Sequence, residues 1–171
     1  MVQDFLEVPF ALENTSSTLA FTSSTMPEWE FVSEIAERAD IGILFDVNNV
    51  YVSAYNVDFD PHDFVRRVPH ERIAQIHVAG HTHRGTHIVD THRGPIIDPV
   101  WKLYRETIEL TGSVSTLIEW DDEIPALSVV LAEAEKARSI RDEAVRARVS
   151  HFGDSPPLKI AAPLATASRS R

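Results

Sequence analysis

Four apolar runs of this chain each end on a residue type that binds metals. PFALEN reaches Glu13, IGILFDVNN reaches Asp46, IAQIHVAGH carries His77 and His81, and STLIEWD reaches Glu119. The intervals from Glu13 to Asp46, Asp46 to His77 and His77 to Glu119 are 33, 31 and 42 residues, each long enough for a crossover helix between parallel strands. Side chains at the same end of successive parallel strands converge, so two acids, a histidine and a third acid would share one pocket. A buried charge is costly unless it is paired or metal-bound. No Lys or Arg lies inside any of the four runs, so a plain salt bridge would need a partner from a loop or helix. Mixed imidazole and carboxylate ligands suit iron, manganese or zinc, and a carboxylate-rich set leans towards iron or manganese.

Five of the eight histidines fall between His77 and His92, which makes this segment the second place to look for ligands. Asp90 and His92 stand two apart, so in an extended segment both side chains face one way and could chelate one ion. His83 and His87 lack a strand context and read as solvated loop histidines. Asn14, Asn48, Asn49 and Asn56 could orient carboxylates or a substrate amide from behind the ligands, with Asn56 better read as a loop residue. Trp120 and Asp122, beside Glu119, are placed to line the pocket. No G-x-G-x-x-G, Walker loop or G-x-S-x-G elbow is present, which leaves nucleotide cofactors and serine hydrolase chemistry without support.

The elements that must position these residues alternate along the chain. Met1 to Val8 is too short and mixed for a helix of its own. After the first strand and a polar stretch, EWEFVSEIAERAD places Phe31, Val32, Ile35, Ala36 and Ala39 at helical spacing, with Ser24 or Thr25 as cap and Pro27 in the first turn. IGILFDV is a continuous apolar run of the kind found in parallel strands covered on both faces. NNVYVSAYNVDFDP reads as a long loop, HDFVRRVPHERI as a short helix broken at Pro69, and IAQIHVAG as the third strand. Gly80 to Asp98 reads as a loop and DPVWKLYRETIELTG as a helix stopped by Gly112. STLIEW is the fourth strand, and Ile124 to Val149 a long helix of strong formers. The expected organisation is one partial β/α domain over residues 1–149 and a loose Pro, Ala and Ser-rich tail over 150–171.

Composition narrows the function classes. With 171 residues, 43% apolar and 25% charged, the chain has the make-up of a folded domain with a sizeable core. A net charge of −10 without a basic cluster in the body of the chain excludes nucleic acid as the expected partner. The absence of cysteine removes disulfides, zinc-thiolate sites and thiol nucleophiles. Neither a signal-like N-terminus nor an apolar run of membrane-spanning length is seen, so the cytoplasm is the expected location.

At LENTSS, DVNNVYVSAYN, QIHVAGH, VDTH, DPVW and LIEWDDEIP the sequence closely resembles the DUF692 family, also called UPF0276, over about residues 10–138. These are multinuclear non-haem iron-dependent oxidases that include the methanobactin-biosynthesis oxidase. The resemblance implies a TIM-barrel-like fold whose two or three irons use O2 to oxidise residues in a ribosomally made precursor peptide, commonly delivered by a small partner protein. Matched motif by motif, Glu13 resembles the bridging carboxylate, and Asp46, His77 and Glu119 the other ligands of a core iron. Asp90 and His92 resemble ligands of a further iron, with His81 a less certain participant.

Family members run to a full barrel of about 250 residues or more, with two further histidine ligands on earlier strands. Only a short segment precedes PFALEN here, so the expectation is about four of eight strand-helix units, without those histidines. A half barrel leaves two edge strands and one wall of its core open, which favours association. A truncated gene, a split enzyme with its N-terminal half on another chain, and a remnant that pairs with itself all fit that picture. Two rival functions remain at this stage: a divalent-metal sugar isomerase or phosphoesterase barrel, and a non-catalytic metal-binding remnant.

Overall fold

The computed structural model describes residues 2–152. The elements in chain order are α1 (Val2–Leu6), β1 (Ala11–Glu13), α2 (Glu28–Ala39), β2 (Gly42–Asp46), α3 (Val47–Val57), α4 (Pro61–Arg67), a 3-10 turn (His70–Arg72), β3 (Ile73–Ala79), β4 (Thr82–His83), β5 (Ile88–Val89), α5 (Asp98–Thr111), β6 (Ser115–Glu119) and α6 (Leu127–Phe152). Strands β1, β2, β3 and β6 form one parallel sheet in that order. Strands that pair in sequence order and alternate with helices are the arrangement of half a TIM-like (β/α) barrel. The fold is therefore α/β and partial TIM-barrel-like.

Pleating divides the sheet into two faces. Ile43, Phe45, Ile76 and Val78 are fully buried and belong to one core with Phe64, Val65, Val100, Leu103, Tyr104 and Ile108 of the covering helices. Phe45 meets Phe64 with ring centroids 6.1 Å apart. The opposite face carries Leu44, Gln75 and Leu117 at neighbouring register positions, and Leu117 is half-exposed. At the C-terminal end of that same face stand Glu13, Asp46, His77 and Glu119, with Asp46 opposite His77 and Ala79 opposite Glu119.

Several local expectations change. NNVYVSAYNV is a helix rather than a loop: Asp46 is the N-cap of α3, its carboxylate accepting from Asn49 N, and the helix stops at Asp58 in the left-handed conformation. Neither Ser24 nor Thr25 caps α2, which begins after Pro27 without a side-chain cap bond. The 80–98 segment contains the two-stranded hairpin β4–β5. Residues 2–6 do form one helical turn, tied down by Gln3, whose Oε1 accepts from Phe10 N and whose Nε2 donates to the Asp40 carbonyl. Gly112 closes α5 as expected, its N–H donating to the Ile108 carbonyl. Arg148 of α6 donates to the Glu109 and Leu110 carbonyls at 2.7 Å each, closing the same helix end from outside.

Helix α6 continues through Phe152, and the rest of the expected tail lies outside the described residues. Among the described residues no helix is long and apolar enough to cross a membrane.

Candidate metal centre

Each ligand candidate on the sheet arrives from its own strand end. One ligand atom from each of Glu13, Asp46, His77 and Glu119 can be chosen so that all four lie within 4.8 Å of one another. His77 Nδ1 is 2.9 Å from Glu13 Oε1 and 3.3 Å from Glu119 Oε1, while its Nε2 is 3.2 Å from Gln75 Oε1. The four elements thus bring together the four residues whose spacing first marked them.

Asp46 is held by three neighbouring asparagine contacts. The Asn14 side chain forms a closed pair with the Asp46 backbone, its Oδ1 accepting from Asp46 N and its Nδ2 donating to the Asp46 carbonyl, both at 2.9 Å. Asn49 N donates to Asp46 Oδ1 at 2.7 Å, and Asn49 Nδ2 donates to the Asn14 carbonyl at 3.0 Å. The second oxygen, Asp46 Oδ2, is buried and has no hydrogen-bond partner. An acceptor sealed from water with one lone-pair side empty is expensive. Burial pushes this carboxyl up to about 7, with the Asn49 N–H and the His92 charge pulling it back and the charges of Asp90 and Glu13 adding to the rise.

His92 completes a second group of ligand candidates. Its backbone is left-handed, at φ 46°, an unfavourable conformation for a side chain of this size and one that concentrates at functional sites. That turn brings the imidazole inward. Its Nε2 lies 3.0 Å from Asp90 Oδ1 and 3.8 Å from Asp46 Oδ2, close but not aligned for a hydrogen bond. Its Nδ1 is 3.1 Å from Glu119 Oε2 and 3.2 Å from Asp121 Oδ2. The Asp90 carboxylate chiefly, then the charges of Asp46 and Glu119, raise His92 to about 9 against the opposing effect of its partial burial. Asp90 is fixed by Ser16 Oγ at 3.2 Å and Asn48 Nδ2 at 2.9 Å.

His81 stands one contact further out. Its Nδ1 is 2.7 Å from Asn48 Oδ1 and its ring stacks on Tyr51 with centroids 5.3 Å apart. Burial lowers its pKa, His83 adding to that and Asp90 opposing it. His83 and His87 stay outside the cluster, His83 Nε2 meeting the Tyr55 hydroxyl at 2.9 Å and His87 Nδ1 meeting Thr86 Oγ1 at 3.2 Å.

Two residues behave differently from their sequence reading. Asp122, expected behind the ligands, is mostly exposed and faces Arg93 at 3.9 Å, the residue to which its backbone is bridged. Its neighbour Asp121 is the one that reaches His92, and the D-D pair after Trp120 gave no means of choosing between them. Asn56 belongs to α3, where it clamps β5 with reciprocal bonds to Ile88, 2.8 Å to the N–H and 2.9 Å to the carbonyl. Ser16, inside the LENTSS motif, was not singled out by the sequence reading, and its bond to Asp90 appears only in the structure.

The donor chemistry fits a cation. Among the described residues the ion-pair partners of Glu13, Asp46 and Glu119 are histidines, with no Lys or Arg. Like charges this close raise one another's proton affinity unless positive charge sits between them. An unpartnered buried oxygen on Asp46 and a carboxylate, Glu119, whose two oxygens face different histidines, both suit carboxylate and imidazole ligation.

Comparison with known proteins adds the family. The family model described as "RiPP precursor modification enzyme MbnB/TglH/ChrH" matches residues 1–142. The chain belongs to this family. The chain is also similar to UPF0276 proteins of Anaeromyxobacter sp. (strain Fw109-5), 49% identical over 146 residues, and of Vibrio parahaemolyticus, 46% identical over 140 residues. A UPF0276 protein of Caulobacter vibrioides is 43% identical over 139 residues. These matches cover 85%, 80% and 81% of this chain but 52%, 49% and 50% of the relatives. The chain spans about half the length of the curated relatives it matches. For a MbnB/TglH/ChrH-family chain, the geometry above places the ligand candidates of four consecutive βα units at the C-terminal end of the sheet, the end where barrel enzymes carry their active sites.

Proposed function

We propose that these strand ends hold part of a multinuclear non-haem iron centre that oxidises a residue of a ribosomally made precursor peptide with O2. The observation that carries this reading is the convergence of Glu13, Asp46, His77 and Glu119 ligand atoms within 4.8 Å in a chain of a precursor-modifying family. Ferrous iron bound there would supply the O2 chemistry. The protein's own residues position and neutralise. Glu13, Asp46, His77 and Glu119 would hold one ion, and Asp90 and His92 a further one. Glu119 is suited to link the two, because its Oε1 faces His77 and its Oε2 faces His92; in this arrangement it takes the linking role that the family resemblance gave to Glu13.

Asn14 and Asn49 hold Asp46 in place, and Ser16 and Asn48 hold Asp90. His81, hydrogen-bonded through Nδ1 to Asn48, keeps its imidazole beside the Asp90 group and can exchange a proton at Nε2. A cytoplasmic peptide substrate handed over by a small partner protein completes the proposal, and the other half of the barrel would supply the remaining imidazoles.

The isomerase or phosphoesterase reading calls for a lysine or anion-binding loop at the site. Lys102 is exposed on α5, and Lys136 of α6 pairs with Asp98 and lies over Trp101. Neither supports it. The test is anaerobic reconstitution of the 171-residue chain with ferrous iron, followed by desalting and metal analysis. Retained iron that is lost on Glu119→Gln and His77→Ala is expected, and an O2-dependent mass change in an added precursor peptide would complete it. No iron uptake by the wild-type chain would overturn the reading for this chain.

A further inference from the structure

The loop from Glu13 to α2 carries large apolar side chains into solvent. Leu19 is 74% exposed and Phe21 72%, where a purely connecting loop would have polar residues. Both line a cavity of about 850 Å³, together with Met26, Trp29, Phe59 and Phe64. Its size is within the ordinary range for ligand sites, about 300–1,000 Å³. Exposed apolar surface gathered around one concavity marks a binding surface more often than chance scatter does.

The polar lining has one sign. Glu28, Asp60 and Asp63 border the same cavity and no Lys or Arg lines it; Arg67 lies over the Trp29 ring at 5.2 Å without joining the lining. Glu28 is held by Ser17 Oγ at 3.1 Å. The segment that lines the cavity also reaches the ligand candidates. Thr15 and Ser17 line the cavity, and Ser16 between them donates to Asp90.

We propose that this cavity docks the precursor peptide, accepting an aromatic or long aliphatic side chain flanked by Lys or Arg, and thereby presents a neighbouring peptide residue to the metal cluster. The inference rests on the reading of the chain as part of a peptide-modifying enzyme. Apolar burial supplies the attraction, and the three carboxylates select for a cationic neighbour while repelling acidic segments. Charge also decides between occupants. A second copy of this chain carries −10, and an anionic membrane is negative too, so either would meet like charge at this rim.

The experiment uses the metal-free 171-residue chain and three blocked hexapeptides, GSFKSG, GSFESG and GSAKSG, with binding read from Trp29 fluorescence and a Trp29→Phe control to separate Trp101 and Trp120. The expected result is binding of GSFKSG at least about fivefold tighter than of either other peptide. Leu19→Ser/Phe21→Ser, at exposed positions that leave the core intact, should abolish the difference, and Asp63→Lys should shift preference towards GSFESG.

Equal binding of all three peptides, or binding unchanged in the double variant, overturns the proposal. So does concentration-dependent dimerisation in sedimentation that the double variant removes without any peptide preference, since the occupant is then a second copy. Iron uptake is measured separately on the same variants. Peptide selectivity without iron uptake would sink the oxidase reading and leave the docking site standing, whereas iron uptake without selectivity would do the reverse.

Discussion

Asn14 and Asp46 are bound to each other twice, the Asn14 amide accepting from the Asp46 N–H and donating to its carbonyl at 2.9 Å each. The side chain of one strand end thereby completes the backbone pairing of the next, beyond the point where the β1–β2 register stops at Glu13 and Leu44. Both residues are buried. Asn14→Ala would leave the buried Asp46 N–H without its partner, a loss of about 1–3 kcal/mol. Urea unfolding should report it, and iron retention should weaken alongside because Asp46 loses its anchor.

Gly80 follows β3 where a side chain has no room. A Cβ there would sit 2.3 Å from the Gly94 carbonyl oxygen and 2.5 Å from that of Arg93, both backbone atoms that cannot swing aside. Gly80→Ala should push the 93–94 segment away and carry His92 with it. Destabilisation of about 1–3 kcal/mol is expected from such overpacking, together with loss of metal bound through His92. The His77 group should be affected less, which metal counting on the same variant would reveal.

The metal-free protein should lose stability as pH rises. Asp46 is raised from 3.8 to about 7 and His92 from 6.5 to about 9, so the folded chain holds these protons more tightly than the unfolded chain. The Asp46 contribution is present in full below about pH 4 and gone above about 7; that of His92 is present below about 6.5 and gone above about 9. Melting temperature should therefore fall as pH rises from about 4 to about 9, first through Asp46 and then through His92. Metal binding displaces the same protons. Saturating metal should flatten the slope, and a melting temperature rising with pH in the stripped protein would contradict the assignment.

Glu119 faces His77 with one oxygen at 3.3 Å and His92 with the other at 3.1 Å. Glu119→Gln should consequently reduce metal bound at both groups, while His92→Ala should reduce only one. Anaerobic titration followed by metal analysis distinguishes these patterns. Equal losses in the two variants would argue against the linking role.

The strand ends were legible because each is a charged residue closing an apolar run, a combination that burial makes costly and therefore informative. Helix α3 was not. Val47, Val50, Val52 and Ala54 are buried together with Asn48, Asn49 and Ser53, so burial follows no single face and the helical period disappears. Its β-branched and aromatic residues point towards strand by propensity, and the real start signal was Asp46 acting as both ligand candidate and N-cap. His92 was visible as half of D-x-H, but the geometry expected of an extended segment was not the one adopted. A left-handed backbone at His92 reaches the same end, and no pattern in VDTH announces it. Asp121 and Asp122 could not be separated, since both side chains are largely exposed and only their partners, His92 for one and Arg93 for the other, tell them apart.

The strands pair in the order in which they occur, β1-β2-β3-β6, and each contributes one ligand candidate to the cluster. Each neighbouring pair closes over a crossover of 31 to 42 residues, a non-local pairing that slows assembly, and the cluster exists only when the last of the four has docked. Metal affinity is then a gauge of whole-sheet integrity. Saturation at 100 times Kd would add about 2.7 kcal/mol to the folded state, and slippage at any one strand would forfeit it, so a bound ion would tie the four strands into one cooperative whole.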